Sequence, residues 1–308
     1  MKRFLSLFFV ALLIPFTVLT GCAEKEKAAE TTATAVAQVN PVEEAALAYF
    51  ADYPGSRIVP ATTVFEKMDA GEDIFILDIR KAEDYAAGHL KGAVNAAWGT
   101  PALAESLNWL PDDVPLFVNC YSGQTAGQTV AVLNVAGFKA SSIKYGWKLG
   151  ITQAEGYEAY TESTVNPAPV ESGVKIDAEI KSAAADYFNN LKADPETPSN
   201  IIAASKLKEK LDADEEMTIV SIRKPEDFSA GHVESAINIP FGAGMEAQFA
   251  DLPQDEKVFV YCYSGQTAGQ TVAIMRLLGI DAASVKSGFG TSGTGTTGWN
   301  NEGLPIVK

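Results

Sequence analysis

Histidine and cysteine are scarce. The 308 residues hold two histidines and three cysteines. Two of the cysteines, Cys120 and Cys262, lie deep in the chain, and neither has a histidine in the loop that follows it. A metal centre needs several such donors converging on one point, so the sequence implies no metal and no cofactor. Basic residues are also in deficit. Lys and Arg number 24 against 39 Asp and Glu, a formal net charge of −15. That balance opposes nucleic acid as a partner, because phosphates call for clustered cations. It equally opposes attachment to anionic lipid by charge alone. The one long apolar run, Phe4 to about Leu19, is short for a membrane span.

What is present at the start is a leader. Lys2 and Arg3 precede that apolar run, and small residues follow it, the order of a secretory signal. It ends in Leu19-Thr20-Gly21-Cys22, which resembles the lipobox of bacterial lipoproteins. The resemblance implies cleavage before Cys22 and acylation of its thiol and amine. Several acyl chains give stable anchoring, since each buried CH2 adds roughly 0.8 kcal/mol. Residues 1–21 are thus expected to be a signal peptide. Residues 22–41, rich in Ala, Thr and Glu, are expected to be a flexible tether. The expected location is outside the cytoplasm, lipid-anchored on the periplasmic or cell-surface side of a bacterial membrane.

Beyond the tether the chain repeats itself. CYSGQTAGQTVA occurs at 120–131 and again at 262–273 without a change. IFILDIRKAEDYAAGHLKGAVNAAWG (74–99) pairs with MTIVSIRKPEDFSAGHVESAINIPFG (217–242), and AALAYFADY (45–53) pairs loosely with AAADYFNNL (183–191). The repeating unit is the size of a complete domain. The expected division is 42–160 for the first unit, 161–175 for a Pro-containing polar linker and 176–308 for the second.

Each unit alternates apolar strands with helices. Continuously apolar strands such as Phe75-Ile76-Leu77 suit a parallel sheet covered on both faces. The pattern predicts two doubly wound α/β domains, each a mostly parallel sheet flanked by helices. The strand 115–119 or 257–261 runs straight into the cysteine, and a helix is expected over 127–136 or 269–278. Ligands bind at the carboxyl ends of strands in such folds. A tight loop entering a helix aims several N–H groups and the positive end of the helix dipole at one point. A thiol at that point is stabilised as a thiolate.

These residues carry a family resemblance. Asp78-Ile79-Arg80, Glu83-Asp84-Tyr85, Gly88-His89-Leu90 and a strand ending in Cys-x-x-Gly closely resemble the rhodanese domain. The second unit has Ile222-Arg223, Glu226-Asp227-Phe228, Gly231-His232-Val233 and the ending Gly303-Leu304-Pro305. The resemblance implies a sulfurtransferase that moves sulfane sulfur, through a cysteine persulfide, from thiosulfate or a polysulfide or persulfide donor to a thiophilic acceptor. It implies Cys120 and Cys262 as the persulfide carriers. The binding loops it implies are Tyr121, Ser122, Gly123, Gln124, Thr125 and Ala126, and Tyr263, Ser264, Gly265, Gln266, Thr267 and Ala268. Asp78, Arg80 and Arg223 are expected to brace the sheet and loop. Partners are then small sulfur-containing anions or protein persulfides. The alternative is a sulfur-binding or protein-interaction module without turnover.

The sequence departs from the family pattern in four places. The first unit lacks the Gly-Leu-Pro ending, Gly146-Trp147-Lys148-Leu149-Gly150 being only a partial counterpart. Ser221 stands where the first unit has Asp78. The loops contain no Arg or Lys, unlike family members that prefer thiosulfate. The second unit carries an insertion, GTSGTGTTG (290–298), flexible by composition. A related phosphatase or arsenate reductase needs an Arg six residues after the cysteine to clamp an oxyanion, and here Ala126 and Ala268 stand there. A disulfide between Cys120 and Cys262 would need the loops face to face. Duplication already explains one cysteine per unit. His89 and His232 read as structural, and Trp98, Trp147 and Trp299 as core or interface residues.

Overall fold

Apolar strands too short to fold alone dominate both halves, and each half solves this by stacking five of them in parallel. The computed structural model describes residues 40–51, 55–170 and 174–308. The leader, most of the tether and Cys22 lie outside the described residues.

The first unit opens with α1 (Pro41–Ala51), β1 (Ile58–Val59), α2 (Ala61–Asp69), β2 (Phe75–Asp78) and α3 (Ala82–Ala87). It continues with β3 (His89–Leu90), β4 (Val94–Asn95), α4 (Pro101–Glu105), β5 (Leu116–Asn119), α5 (Gln124–Val135), β6 (Ala140–Ile143), α6 (Gly146–Leu149) and β7 (Thr161–Glu162). The second unit has α7 (Ala178–Asn189), β8 (Ile201–Ile202), α8 (Ala204–Asp212), β9 (Thr218–Ser221), α9 (Pro225–Ala230) and β10 (Ile237–Asn238). It ends with β11 (Val258–Tyr261), α10 (Gln266–Leu277) and β12 (Ala282–Val285). The sheets run β1-β6-β5-β2-β4 and β8-β12-β11-β9-β10, the same order twice. All pairings within them are parallel, with β2 and β5 in register at Leu77–Val118 and β9 and β11 at Val220–Val260. Parallel strands buried on both faces explain why β5 and β11 are apolar at nearly every position.

β7 lies in the stretch read as linker. It pairs antiparallel with β3, and Asn166 beyond it bonds the Ala93 carbonyl at 3.0 Å. The opening residues of that stretch therefore finish the first unit.

The two halves are not independent. One hydrophobic cluster contains Leu77, Val118, Cys120 and Val130 from the first unit and Val220, Val260, Cys262 and Val272 from the second. The opening helix of each unit packs on the other. Phe50 of α1 meets Phe241 and Phe249 of the second unit edge-on, with centroids 5.7 and 5.9 Å apart. Phe188 of α7 packs against Trp98 of the first, whose indole N–H donates to Ser199 Oγ at 2.9 Å. Edge-on aromatic pairs of this kind add about 1 kcal/mol each beyond burial.

Candidate functional site

Each cysteine follows the last residue of a central strand, β5 or β11, and precedes a turn that closes at a glycine. Gly123 and Gly265 take left-handed φ values of +94° and +89°. A side chain is strained there, which accounts for glycine at both. The turn brings the Gly123 N–H to within 3.0 Å of Cys120 Sγ and the Ala126 N–H to within 3.4 Å. In the second unit the Gly265 N–H donates to Cys262 Sγ at 3.0 Å. Both sulfurs thus sit on the N-terminus of a twelve-residue helix, where free N–H groups and the dipole favour negative charge. The thiols are free, and each cysteine is 2% exposed.

The helices start at Gln124 and Gln266, three residues earlier than the sequence suggested. Gln124, Thr125 and Ala126, with Gln266, Thr267 and Ala268, are therefore first-turn residues. Ser122 is exposed, and Ser264, Thr125 and Thr267 are half-buried, while Ala126 and Ala268 are buried. The Tyr121 hydroxyl donates to Asp84 and accepts the Lys81 N–H at 3.2 Å. Tyr263 repeats this with Asp227 and the Lys224 N–H. Burial, then the bond to the carboxylate, raises both phenols above their ordinary value, so they stay protonated donors.

The glutamines do something the sequence did not show. Gln124 crosses to the other unit, where it donates to Ser284 Oγ (2.7 Å) and the Val285 carbonyl (3.0 Å) and accepts the Ser287 N–H (3.0 Å). Gln266 reaches back the same way to Ser142, Ile143 and the Tyr145 N–H. Gln128 accepts from Tyr187 of α7, and Gln270 accepts from Tyr49 of α1. Between them α5 and α10 touch so closely that a Cβ on Gly127 would overlap the Gln266 carbonyl, and one on Gly269 the Gln124 carbonyl. The duplicated segment is thus both a sulfur cradle and the self-complementary face by which the units hold each other. A contact related by twofold symmetry asks the same residues of both sides. Comparing the two copies of the segment could have raised this reading, because Gln-x-x-Gly-Gln on one helical face is an odd choice for a solvated loop.

Beneath the loops the two units differ. Asp78 accepts Arg80 Nε at 3.1 and 3.0 Å through its two oxygens and Nη2 at 2.7 Å, and it also accepts Asn119 Nδ2 at 3.0 Å. The guanidinium also bonds the Gly88 carbonyl at 2.7 Å and lies 4.0 Å over the Trp147 ring. In the second unit Arg223 bonds the Gly231 carbonyl at 2.5 Å, but it makes no ion pair among the described residues, and its buried Nε has no partner. Aromatic faces shelter it instead, Phe289 at 3.8 Å and Tyr261 at 5.5 Å. Trp147 and Phe289 have a second task, since their N–H groups bond the Cys120 and Cys262 carbonyls at 2.7 Å. Sequence reading placed Trp147 among core or interface residues and gave Asn119 and Phe289 no role. Aligning Gly146-Trp147 with Gly288-Phe289 is the signal that finds the pair.

A cleft of about 320 Å³ borders the first loop, lined by Arg80, Asp84, Gly88, Tyr121, Trp147 and Lys148 among others. The insertion at 290–298 proves well tied. Asn301 Nδ2 bonds the Thr291 and Gly295 carbonyls, Ser287 Oγ meets Thr297 Oγ1 at 2.6 Å, and Tyr145 of the first unit meets Thr291 at 3.3 Å. His89 and His232 bond the Tyr85 and Phe228 carbonyls and stack on those rings. Trp299 is fully buried and bonds the Pro305 carbonyl at 2.8 Å, which fixes the chain's ending. Among the described residues no group of carboxylates, thiols and imidazoles is placed to hold a metal, and no helix is long and apolar enough to cross a membrane.

Residues 61–150 and 203–290 match the model of the rhodanese-like domain. The chain is similar to a sulfurtransferase from Allochromatium vinosum, 28% identical over 108 residues, which are 35% of this chain and 94% of that one. It is also similar to a putative sulfur carrier protein from Bacillus subtilis, 26% identical over 78 residues. That match takes in 25% of this chain and spans less than half, 42%, of that relative's length. Among solved structures it is similar to a 3-mercaptopyruvate sulfotransferase from Escherichia coli, at 19% identity and a TM-score of 0.36, over 75% of this chain and 98% of that one. Two family matches, on two sheets of one order that each end in a cradled cysteine, place this chain in the rhodanese-like family, with two such domains in tandem.

Proposed function

We propose that the chain is a sulfurtransferase that carries sulfane sulfur on Cys120 and Cys262. The observation that carries this reading is the N–H donor 3.0 Å from each sulfur at the head of a helix. Such donors stabilise a thiolate nucleophile without a general base, and then the persulfide anion that replaces it. In the loading step the thiolate attacks the sulfane sulfur of the donor. The new S–S bond forms as the donor's S–S bond breaks, and that electron pair leaves with sulfite, or with the shortened polysulfide or thiolate. In the unloading step a thiophilic acceptor attacks the outer sulfur and the cysteine thiolate is regenerated. No electron is gained or lost overall, so neither metal nor cofactor enters.

The depth of the cysteines, each 2% exposed, favours one other reading: a sulfur-binding or interaction module that does not turn over. Incubation with thiosulfate or polysulfide, followed by intact-mass measurement, separates them. Gain of one sulfur atom per cysteine, discharged by cyanide as thiocyanate, is the expected result. Failure of both free thiols to gain sulfur removes the transferase reading, and gain without discharge leaves the binding module.

We also propose that the chain is exported and held to the membrane through lipid on Cys22, which the leader and the Leu-Thr-Gly-Cys sequence support. Labelled palmitate is expected to be incorporated by the parent chain and not by Cys22→Ser. Equal labelling of the two would overturn the anchor.

A further inference from the structure

The two loops are identical in sequence, yet they stand over different charges. In the first unit Asp78 neutralises Arg80 through a bidentate pair, with both side chains about 2% exposed or less. In the second, Ser221 takes the place of the carboxylate, Tyr261 the place of Asn119, and Arg223 is 3% exposed with its Nε unpartnered. The rings of Phe289 and Tyr261 accommodate this cation but carry no net charge to cancel it.

The uncancelled charge leaves the strand end beside that of the cysteine, its side chain lying over Tyr261 and Phe289 on the opposite face of the sheet from Cys262. Ser221 and Tyr261 are register partners on neighbouring strands, and the Ile222 N–H bonds the Tyr261 carbonyl at 2.9 Å, so Arg223 and Cys262 leave adjacent strand ends. The ring that seats the guanidinium belongs to Phe289, whose N–H holds the Cys262 carbonyl at 2.7 Å. The other charged groups near the two loops do not reverse this difference. Asp84 and Asp227 occupy equivalent places beside Tyr121 and Tyr263. The first unit adds Lys148, 5.4 Å from the Tyr121 ring, where the second has Gly290, but Lys148 is exposed and screened by water. A buried charge is screened far less.

We infer that the two sites have divided their labour by charge: Arg223 makes the Cys262 site the receiver of small sulfur-containing anions such as thiosulfate, while the Asp78–Arg80 pair leaves the Cys120 site without that attraction. This deepens the sulfur-transfer reading and rests on it for the word receiver. The charge difference itself does not depend on turnover. At Cys262 the thiolate takes the outer sulfur of thiosulfate, and sulfite departs with the electron pair of the broken S–S bond. At an effective dielectric constant near 20, a unit charge at a separation of about 10 Å corresponds to on the order of tenfold in the rate of an anion relative to a neutral reagent.

The test uses the full folded chain and two reagent pairs, with each cysteine peptide followed by mass spectrometry. Iodoacetate against iodoacetamide reads the local charge alone, and thiosulfate against a neutral organic trisulfide reads sulfur loading. The expected result is an anion-to-neutral rate ratio about tenfold higher at Cys262 than at Cys120. Ser221→Asp is expected to bring the Cys262 ratio down to that of Cys120. Should that variant fail to fold, Asp78→Asn, which keeps the shape and removes the charge, is expected to raise the ratio at Cys120. Equal ratios at the two cysteines, or ratios that neither variant moves, would overturn the inference. Resistance of both thiols to every reagent overturns it as well, because a site closed to small anions cannot select them. If the alkylation ratios differ but no sulfur is loaded from any donor, the charge asymmetry stands and the sulfur-transfer reading falls.

Discussion

The first unit anchors its loop from below with a carboxylate and an amide, Asp78 and Asn119, closing a polar network around Arg80. The second holds the equivalent arginine between rings, with a serine where the carboxylate was. The backbone above is the same in both, down to 3.0 Å from glycine N–H to sulfur. One loop geometry therefore tolerates two supports. What the supports change is the net charge buried at the strand end and the penalty for losing a partner.

The largest expected effect breaks this comparison at its base. Asp78→Ala strands a buried guanidinium and an amide donor, and it is expected to cost about 3–5 kcal/mol in urea unfolding. Ser221→Ala removes only a 3.4 Å contact and is expected to cost under about 1 kcal/mol. Similar losses for the two would mean that the supports are energetically alike. Next comes the shared face. Gly269→Ala pushes a methyl into the Gln124 carbonyl, and about 2 kcal/mol is expected to be lost despite alanine's better helix propensity. Because the core is shared, the loss is expected in one transition and not in one of two. A neutral or stabilising result would show that the helices can separate at little cost.

The glutamines sharpen the comparison further. The bonds of Gln124 run from 2.7 to 3.0 Å, and those of Gln266 from 2.9 to 3.4 Å. Gln124→Leu is expected to cost about 2 kcal/mol and Gln266→Leu about 1 kcal/mol, the reverse order counting against the match of bond length to strength. The smallest effect concerns Lys257, which pairs with Asp194 and stands where the first unit has Pro115. Burial alone pushes the Asp194 carboxyl up, but the donors Lys257, Thr197 and the Glu196 N–H outweigh it and hold it below the carboxylate range. A depressed folded value stabilises above the unfolded value, near about 3.9, and the contribution fades as pH falls through the folded one. Lys257→Met is expected to lower stability by under about 1 kcal/mol at neutral pH, with the two chains converging in acid below about pH 4.

Much of this was legible in the residues. The duplicated motifs defined two units, and apolar strands ending in Cys120 and Cys262 put both sulfurs at the sheet's carboxyl edge. Gly123 and Gly265 marked the turn. Other features depended on what the polar residues touch. Gln124 and Gln266 look like loop ligands because amides suit both solvent and a buried interface, and only the partner unit's strand ends decide between these. The helix starts were misplaced for the same reason, since Gln-Thr-Ala after a glycine carries no apolar period. The insertion's Thr and Gly content suggested looseness, while Asn301 and Thr297 supply the bonds that hold it. The crossing of α1 and α7 left no trace, because an Ala-rich amphipathic stretch does not name the surface that covers it.

That crossing sets an order of events for a chain that emerges N-terminus first. When the first sheet is complete, Trp98 still awaits Phe188 of α7, which begins at Ala178, and Phe50 of α1 still awaits Phe241 and Phe249. The early half is thus an unfinished object with an open apolar flank until most of the chain has followed. Domains usually fold one after another during synthesis. Here each opening helix imposes a wait, because part of its apolar face is covered only by the other unit.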